Sequence, residues 1–243
     1  MARQFAVFDI DGTIVRTMLL QLIVKELVNR GRIDGAAAGD IGRMLHDGRQ
    51  RIADDNFGVY MKKGVEMLLQ HAGGTLSVSD YREAAQAVAR TLTPNTYVYT
   101  RQLIDTLRKN GFYLIAISGS EQYVVEEVAR ALAFDTCAAH IKYVDDGTNL
   151  TGEIIKYDAK KDDVLTSIIA THGLTKRGSM AVGDTSPDIA MFNMVEQPIA
   201  FNPNQELFKV AREKGWMVVL ERKDVVYGLQ FENGHYVVKS VNV

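Results

Sequence analysis

Five short runs of unbroken apolar character lie along the chain, at residues 5–8, 112–117, 179–182, 198–201 and 217–220. Continuous rather than alternating hydrophobicity over so few positions suits strands covered on both faces, as in a parallel sheet. Between them lie stretches of helical length at 96–110, 122–132, 162–172 and 205–214. Gly111, Gly173 and Gly215 directly follow three of these, where glycine enters the left-handed conformation cheaply and ends a helix. The alternation of strand and helix predicts an α/β fold built on a doubly wound parallel sheet.

Residues 16–92 follow another period. Leu19, Leu20, Ile23, Val24, Leu27 and Val28 recur at helical spacing, as do Ile41, Met44 and Leu45, then Tyr60, Val65, Met67, Leu68 and Leu69, then Tyr81, Ala84, Ala85 and Val88. No comparable strand run interrupts them. This predicts a helical insert, residues 16–92, leaving residues 1–15 and 93–243 as a discontinuous α/β core. Ligands of open α/β sheets sit beyond the carboxyl ends of the strands, so an insert leaving the first strand would hang over that site as a lid. Two hairpins are also expected. Residues 141–144 and 150–155 flank Asp145-Asp146-Gly147-Thr148-Asn149, and residues 227–231 and 236–238 flank Glu232-Asn233-Gly234-His235, where Asn-Gly is a strong turn signal.

Composition narrows the class. Among 243 residues, 28 Lys and Arg balance 30 Asp and Glu, which gives no electrostatic reason to expect nucleic acid or an anionic membrane as partner. The apolar helical stretch 18–24 is too short to span a bilayer. Cys137 is the only cysteine, which excludes an intrachain disulfide and fits a reducing, cytoplasmic setting. The five histidines show no metal-ligand spacing.

Four segments carry candidate chemistry. Asp9-Ile10-Asp11-Gly12-Thr13 ends the first apolar run. Residues two apart in extended chain point to one side, so both carboxylates can face one site, and Gly12 permits a sharp turn. Ser118 and Gly119 end the second run, where a hydroxyl and the following helix start could hold an anion; a serine before a helix is also an ordinary cap. Lys160 and Lys161 open the helix 162–172 against its dipole, offset by Asp158, Asp162 and Asp163. Asp184 and Asp188 end a third run in Gly183-Asp184-Thr185-Ser186-Pro187-Asp188. Asp184 suits a hard cation and Asp188 a supporting role, although 185–188 can equally cap a short helix. Oxygen-rich sites without histidine suit Mg²⁺. Together the segments supply the parts of a phosphoryl-transfer site.

These four segments resemble the ordered motifs of the haloacid dehalogenase superfamily, in its phosphatase branch. The resemblance implies a Rossmann-like core in which Asp9 attacks phosphorus and Asp11 protonates the leaving group, then activates water. It implies that Ser118, Gly119 and Lys161 hold the phosphoryl group, and that Mg²⁺ is bound by Asp9, Asp184 and the backbone carbonyl of Asp11. Lys161 is preferred to Lys160 because it lies 23 positions before Asp184, in the family register. The expected activity is hydrolysis of a small phosphorylated metabolite; the alternatives are a phosphotransferase or mutase on the same core, or a silent binding protein. The position of the insert, and Asp146-Gly147 followed by Leu150-Thr151-Gly152-Glu153, are similar to the phosphoserine phosphatase subgroup. Three positions depart from it. Met18 stands in the region of that subgroup's substrate-binding glutamate, and aligning Asn56-Phe57 puts Gly64 at its substrate-binding arginine, with Lys62 or Lys63 as substitutes. Pro187 stands where the subgroup has an asparagine.

Overall fold

The computed structural model describes residues 2–49, 57–72, 74–156 and 160–242. Asp158 and Asn56 lie outside the described residues. One sheet contains β1 (Gln4–Phe8), β2 (Tyr113–Glu121), β3 (Thr136–Asp145), β4 (Leu150–Lys156), β5 (Thr175–Gly183), β6 (Gln197–Phe201), β7 (Met217–Arg222), β8 (Val225–Glu232) and β9 (His235–Asn242). Their spatial order is β4-β3-β2-β1-β5-β6-β7-β8-β9. The six strands from β3 to β7 in that order are mutually parallel, and antiparallel β4 and β8–β9 extend the two edges. The fold is a doubly wound α/β fold. The chain winds outward from β1 through β2 and β3, then from β5 through β6 and β7 on the other side. The order therefore reverses between β1 and β5, where a crevice opens beyond the carboxyl ends of the strands.

Successive side chains of β1 enter opposite layers, as strand geometry requires. Phe5 and Val7 join an apolar cluster containing Leu165, Met191, Phe192, Leu207 and Ala211. These come from α7 (Lys161–His172), α8 (Ile189–Phe192) and α9 (Gln205–Lys214). Ala6 and Phe8 face the other layer, with Ile104, Leu107, Val124 and Val128 of α5 (Val98–Lys109) and α6 (Gln122–Ala131). With all four β1 side chains fully buried, truncating Phe8 to alanine would cost about 3–5 kcal/mol.

The insert is helical, comprising α1 (Leu19–Asn29), α2 (Gly35–Arg49), α3 (Phe57–Ala72) and α4 (Val78–Arg90). It does not pack by itself: Leu20, Ile23, Leu45, Leu68, Tyr81 and Ala85 belong to the same apolar cluster as Phe8 and Val124. Its two connections to the sheet run side by side, with Arg16 N–H donating to Asn95 O at 2.7 Å and Tyr97 N–H to Ile14 O at 2.9 Å. On the far side, Val78 N–H donates to Thr148 O and Leu150 N–H to Leu76 O, which ties the insert to the β3–β4 turn.

Both expected hairpins are present, and Asn233 and Gly234 take the positive φ angles that such a two-residue turn needs. Several strands run past the expected bounds, β3 and β2 among them. β3 begins at Thr136, where Thr136, Cys137, Ala138 and Ala139 are small residues with no strong pattern; parallel pairing with Ile115–Ser118 of β2 recruits them. β2 itself continues through Ser118, Gly119, Ser120 and Glu121, so no helix starts directly after Ser118.

Candidate active site

At the carboxyl end of β1 the chain passes through Asp9 and Ile10 to Asp11, then turns at Gly12, whose φ is +87°. A Cβ on residue 12 would run into the Asp184 carboxylate, so this glycine is required by conformation and by close approach alike. Thr13 Oγ1 donates to Asp184 Oδ1 at 3.1 Å, joining the ends of β1 and β5 across the reversal.

Lys161 is the first residue of α7 and only 6% exposed. Its Nζ donates to Asp9 Oδ1 and to Asp188 Oδ1, both at 2.6 Å. Lys160 is the exposed residue just before that helix, so of the two candidates only Lys161 reaches the acids. Asp162 and Asp163 stand in the helix's first turn, where they offset the cation.

Asp9, Asp184 and Asp188 each bring a carboxylate oxygen within 4.8 Å of the others. Asp188 is fully buried and its oxygens are committed. Oδ2 accepts the amides of Asp184 and Thr185, each at 3.0 Å, and Oδ1 accepts Lys161. It also closes a capping box with Thr185. The cap expected from residues 185–188 is present, and the same carboxylate also bonds Lys161. A Cβ on Gly183 would collide with that carboxylate.

Asp11 faces another way. Its Oδ2 accepts the hydroxyls of Ser118 at 3.0 Å and Ser120 at 2.7 Å, and its Oδ1 accepts the amide of Leu19 at 2.6 Å. That amide is the first of α1, whose preceding residue Met18 provides no side-chain cap. Ser118 was expected to lie just before a helix with free amides. Instead, Glu121 intervenes, and its carboxylate accepts the amides of Tyr123 at 2.8 Å and Val124 at 3.0 Å, occupying the amino end of α6. Gly119 has open space where a Cβ would be, so its backbone is approachable.

Charge is unbalanced here. Burial raises the pKa of Asp9 above the usual carboxylate range; Lys161 opposes the rise, while Asp188 and Asp11 add to it. Asp184 is also pushed up, by burial first and then by Asp9 and Asp188. Burial opposes the Lys161 charge, but Asp188 and Asp9 outweigh it and hold the ammonium protonated. The Lys161 ammonium alone cannot neutralise the buried Asp9 and Asp188 together with the half-buried Asp184. Asp11 is raised by burial, against the hydrogen bonds from Ser120, Leu19 and Ser118.

The positions singled out for substrate recognition offer no charged group to the site at Met18 or Gly64. Met18 is buried, at 2% exposure. Gly64 is buried in α3, and a Cβ there would stand 2.6 Å from Leu20 Cδ2 and 2.9 Å from Met44 Cε; it is a helix-packing glycine. Lys62 and Lys63 are exposed on α3, Lys62 beside Glu66 and Lys63 over the Tyr60 ring. Pro187 lies in the short 3₁₀ turn Ser186–Asp188.

Residues 6–193 match the family model for haloacid dehalogenase-like hydrolases. The chain belongs to that family. Among relatives of this hydrolase, a histidinol-phosphatase of Neisseria meningitidis is 23% identical over 224 residues, 89% of this chain and 98% of the relative. A phosphoserine phosphatase of Methanocaldococcus jannaschii is 24% identical over 202 residues, 82% of this chain and 85% of the relative. The fold is shared with a Bordetella pertussis protein of unknown function (TM-score 0.71, 21% identity, 90% and 98% of the two chains). It is shared too with a substrate-bound phosphoserine phosphatase (TM-score 0.62, 19% identity, 86% and 90%). The enzyme class expected from the sequence, a phosphoric monoester hydrolase of the haloacid dehalogenase superfamily, holds for this chain. Among the described residues, no helix is long and apolar enough to cross a membrane.

Sequence reasoning passed over Ser120, Thr13 and Glu121. The signal for Ser120 was present: had β2 been carried on past Ile117, the two-residue alternation would have put Ser118 and Ser120 on one face.

Proposed function

We propose that this hydrolase cleaves a small phosphate monoester through an aspartyl-phosphate on Asp9, with Mg²⁺ as cofactor. The observation that carries the reading is the Lys161 ammonium clamped between Asp9 and Asp188 at the β1–β5 reversal, with the Asp184 carboxylate in the same cluster. Asp9 is the nucleophile, held by Lys161 so that one carboxylate oxygen faces the crevice. Asp11, whose pKa burial raises against its hydrogen bonds, is the acid and base: it gives a proton to the ester oxygen and then takes one from the attacking water. Ser118, the Gly119 backbone and Lys161 hold the phosphoryl oxygens.

The donor set fits a hard divalent cation: carboxylates and a carbonyl, crowded enough that their charges repel. Asp9, Asp184 and the backbone carbonyl of Asp11 would hold it, while Asp188, already saturated, positions Lys161 and the β5 end. When bound, Mg²⁺ neutralises the charge between phosphate and carboxylates. The helices of residues 16–92 act as the cap, which excludes water and touches the leaving group, and residues 1–15 and 93–243 as the core. The named relatives suggest phosphoserine and histidinol phosphate as compounds to assay. The lone cysteine supports a cytoplasmic setting.

The test is direct trapping. Rapid quench of the enzyme with its phosphate ester, followed by peptide mass spectrometry, is expected to place a phosphoryl group on Asp9. Asp9→Asn should lower turnover by at least about a thousandfold. Near-wild-type turnover by that variant would sink the mechanism.

A further inference from the structure

Ser118 has one hydroxyl proton, and in this structure it is given to Asp11 Oδ2 at 3.0 Å. Ser118 Oγ in turn accepts the Ser120 amide at 3.0 Å. A serine hydroxyl donates once, so Ser118 cannot bond a phosphoryl oxygen while it bonds Asp11. Ser120 makes the shorter contact with that Asp11 oxygen, 2.7 Å, and is only 1% exposed. Both serines stand on one face of β2, and the strand continues to Glu121, which pairs with Ile141 of β3. The register slips between Ser118 and Glu121, so Ser120 lies in an irregularity of the strand, held between two paired residues.

We propose that Ser120 is a positioning residue for Asp11, releasing Ser118 to bind the phosphoryl group. The proposal rests on the assignment of Asp11 as proton donor. When a phosphoryl oxygen draws the Ser118 hydroxyl away, Oδ2 keeps its bond from Ser120 and Oδ1 keeps the Leu19 amide from α1. One anchor belongs to the core and the other to the helical insert, so the carboxyl group stays aimed at the ester oxygen. In the step it serves, the bond from phosphorus to the ester oxygen breaks as the Asp9 oxygen bonds to phosphorus. The Asp11 carboxyl proton passes to the departing oxygen, leaving an alcohol, the aspartyl-phosphate and an Asp11 carboxylate. Without Ser120, drawing the Ser118 hydroxyl to the phosphoryl group would leave Oδ2 with neither serine, and Asp11 would turn out of line.

The test compares two esters of one shape. Phenyl phosphate needs a proton on its leaving oxygen, because phenol ionises only near pH ~10, whereas p-nitrophenolate leaves readily as the anion. The constant kcat/KM reports the first phosphoryl transfer. Ser120→Ala should lower it at least tenfold more for phenyl phosphate than for p-nitrophenyl phosphate, and Ser120→Thr, which keeps the hydroxyl, should restore the ratio. Ser120→Cys, a weak donor of similar size, serves if the alanine variant folds poorly. In an Asp11→Asn background, Ser120→Ala should change neither constant by more than twofold. Equal losses on both esters, or a further tenfold loss in that background, would overturn the role of Ser120. A wild-type enzyme that forms no phosphoryl-Asp9 would overturn the underlying mechanism, so the two failures are told apart.

Discussion

Lys161 Nζ stands 2.6 Å from Asp9 Oδ1, and the same nitrogen is the nearest cation to Asp188 as well. Asp184 shares the cluster, so negative charge exceeds positive in a largely buried space. Such an arrangement repels itself until a further cation arrives.

Mg²⁺ is therefore expected to stabilise the fold as well as to support turnover. A ligand at about 100 times its dissociation constant adds about 2.7 kcal/mol, which for a chain of this size raises Tm by roughly 5–10 °C. Differential scanning fluorimetry with Mg²⁺ and with chelator measures this. Asp184→Asn should abolish the Mg²⁺ shift and, in chelator, melt at or above the wild-type temperature because one repelling charge is gone. A variant that melts lower in chelator but keeps its Mg²⁺ shift would remove Asp184 from the metal site.

Gly64 tests the reading of the insert. Leu20 Cδ2 and Met44 Cε, the atoms a Cβ would meet, end flexible side chains that can turn aside. A mid-helix alanine also gains about 1 kcal/mol over glycine. Gly64→Ala should then lie within about 1 kcal/mol of wild type in urea denaturation, whereas Gly64→Arg should cost several kcal/mol by overpacking α1 against α2. The insert offers phosphoserine neither an acid at Met18 nor a base at Gly64, and each missing charge-assisted hydrogen bond is worth ~1.5–3 kcal/mol. Its kcat/KM is expected to fall at least tenfold below that of the best ester in a panel including histidinol, sugar and alcohol phosphates. Phosphoserine leading that panel tenfold would show that another residue supplies the charge.

Glu121 gives a pH signature. It is 1% exposed, accepts the Tyr81 hydroxyl from α4 at 2.8 Å and caps α6, linking insert to core. Burial lifts its pKa from 4.5 to about 7, against the bonds from Tyr81, Val124 and Tyr123. The folded state therefore keeps a proton that the unfolded chain has lost. This contribution to stability is full below about pH 4.5 and disappears as pH rises through about 7, a change on the order of 3 kcal/mol. Urea midpoints at pH 5 and pH 8 should fall further for wild type than for Glu121→Gln. Equal falls would mean that the carboxyl is ionised throughout.

Sequence alone determined the strands that carry Asp9, Ser118 and Asp184, because a doubly covered strand must be apolar throughout and its polar end then stands out. It also determined the helical insert, whose period differs from that of the sheet. The choice between Lys160 and Lys161 came from the family register; in the structure Lys161 is buried and Lys160 exposed. What the sequence could not decide were contacts between residues far apart in the chain. Asp188 reads equally as a cap and as a site residue until α7 brings Lys161 to its free oxygen. Gly64 reads as a missing substrate group until α1 and α2 are seen to close on it. Ser120 and Glu121 lie past the end of the apolar run, yet the pairing of Glu121 with Ile141 of β3 carries the strand on to them. Side-chain period reports which face of an element is buried; only tertiary packing decides what that face meets.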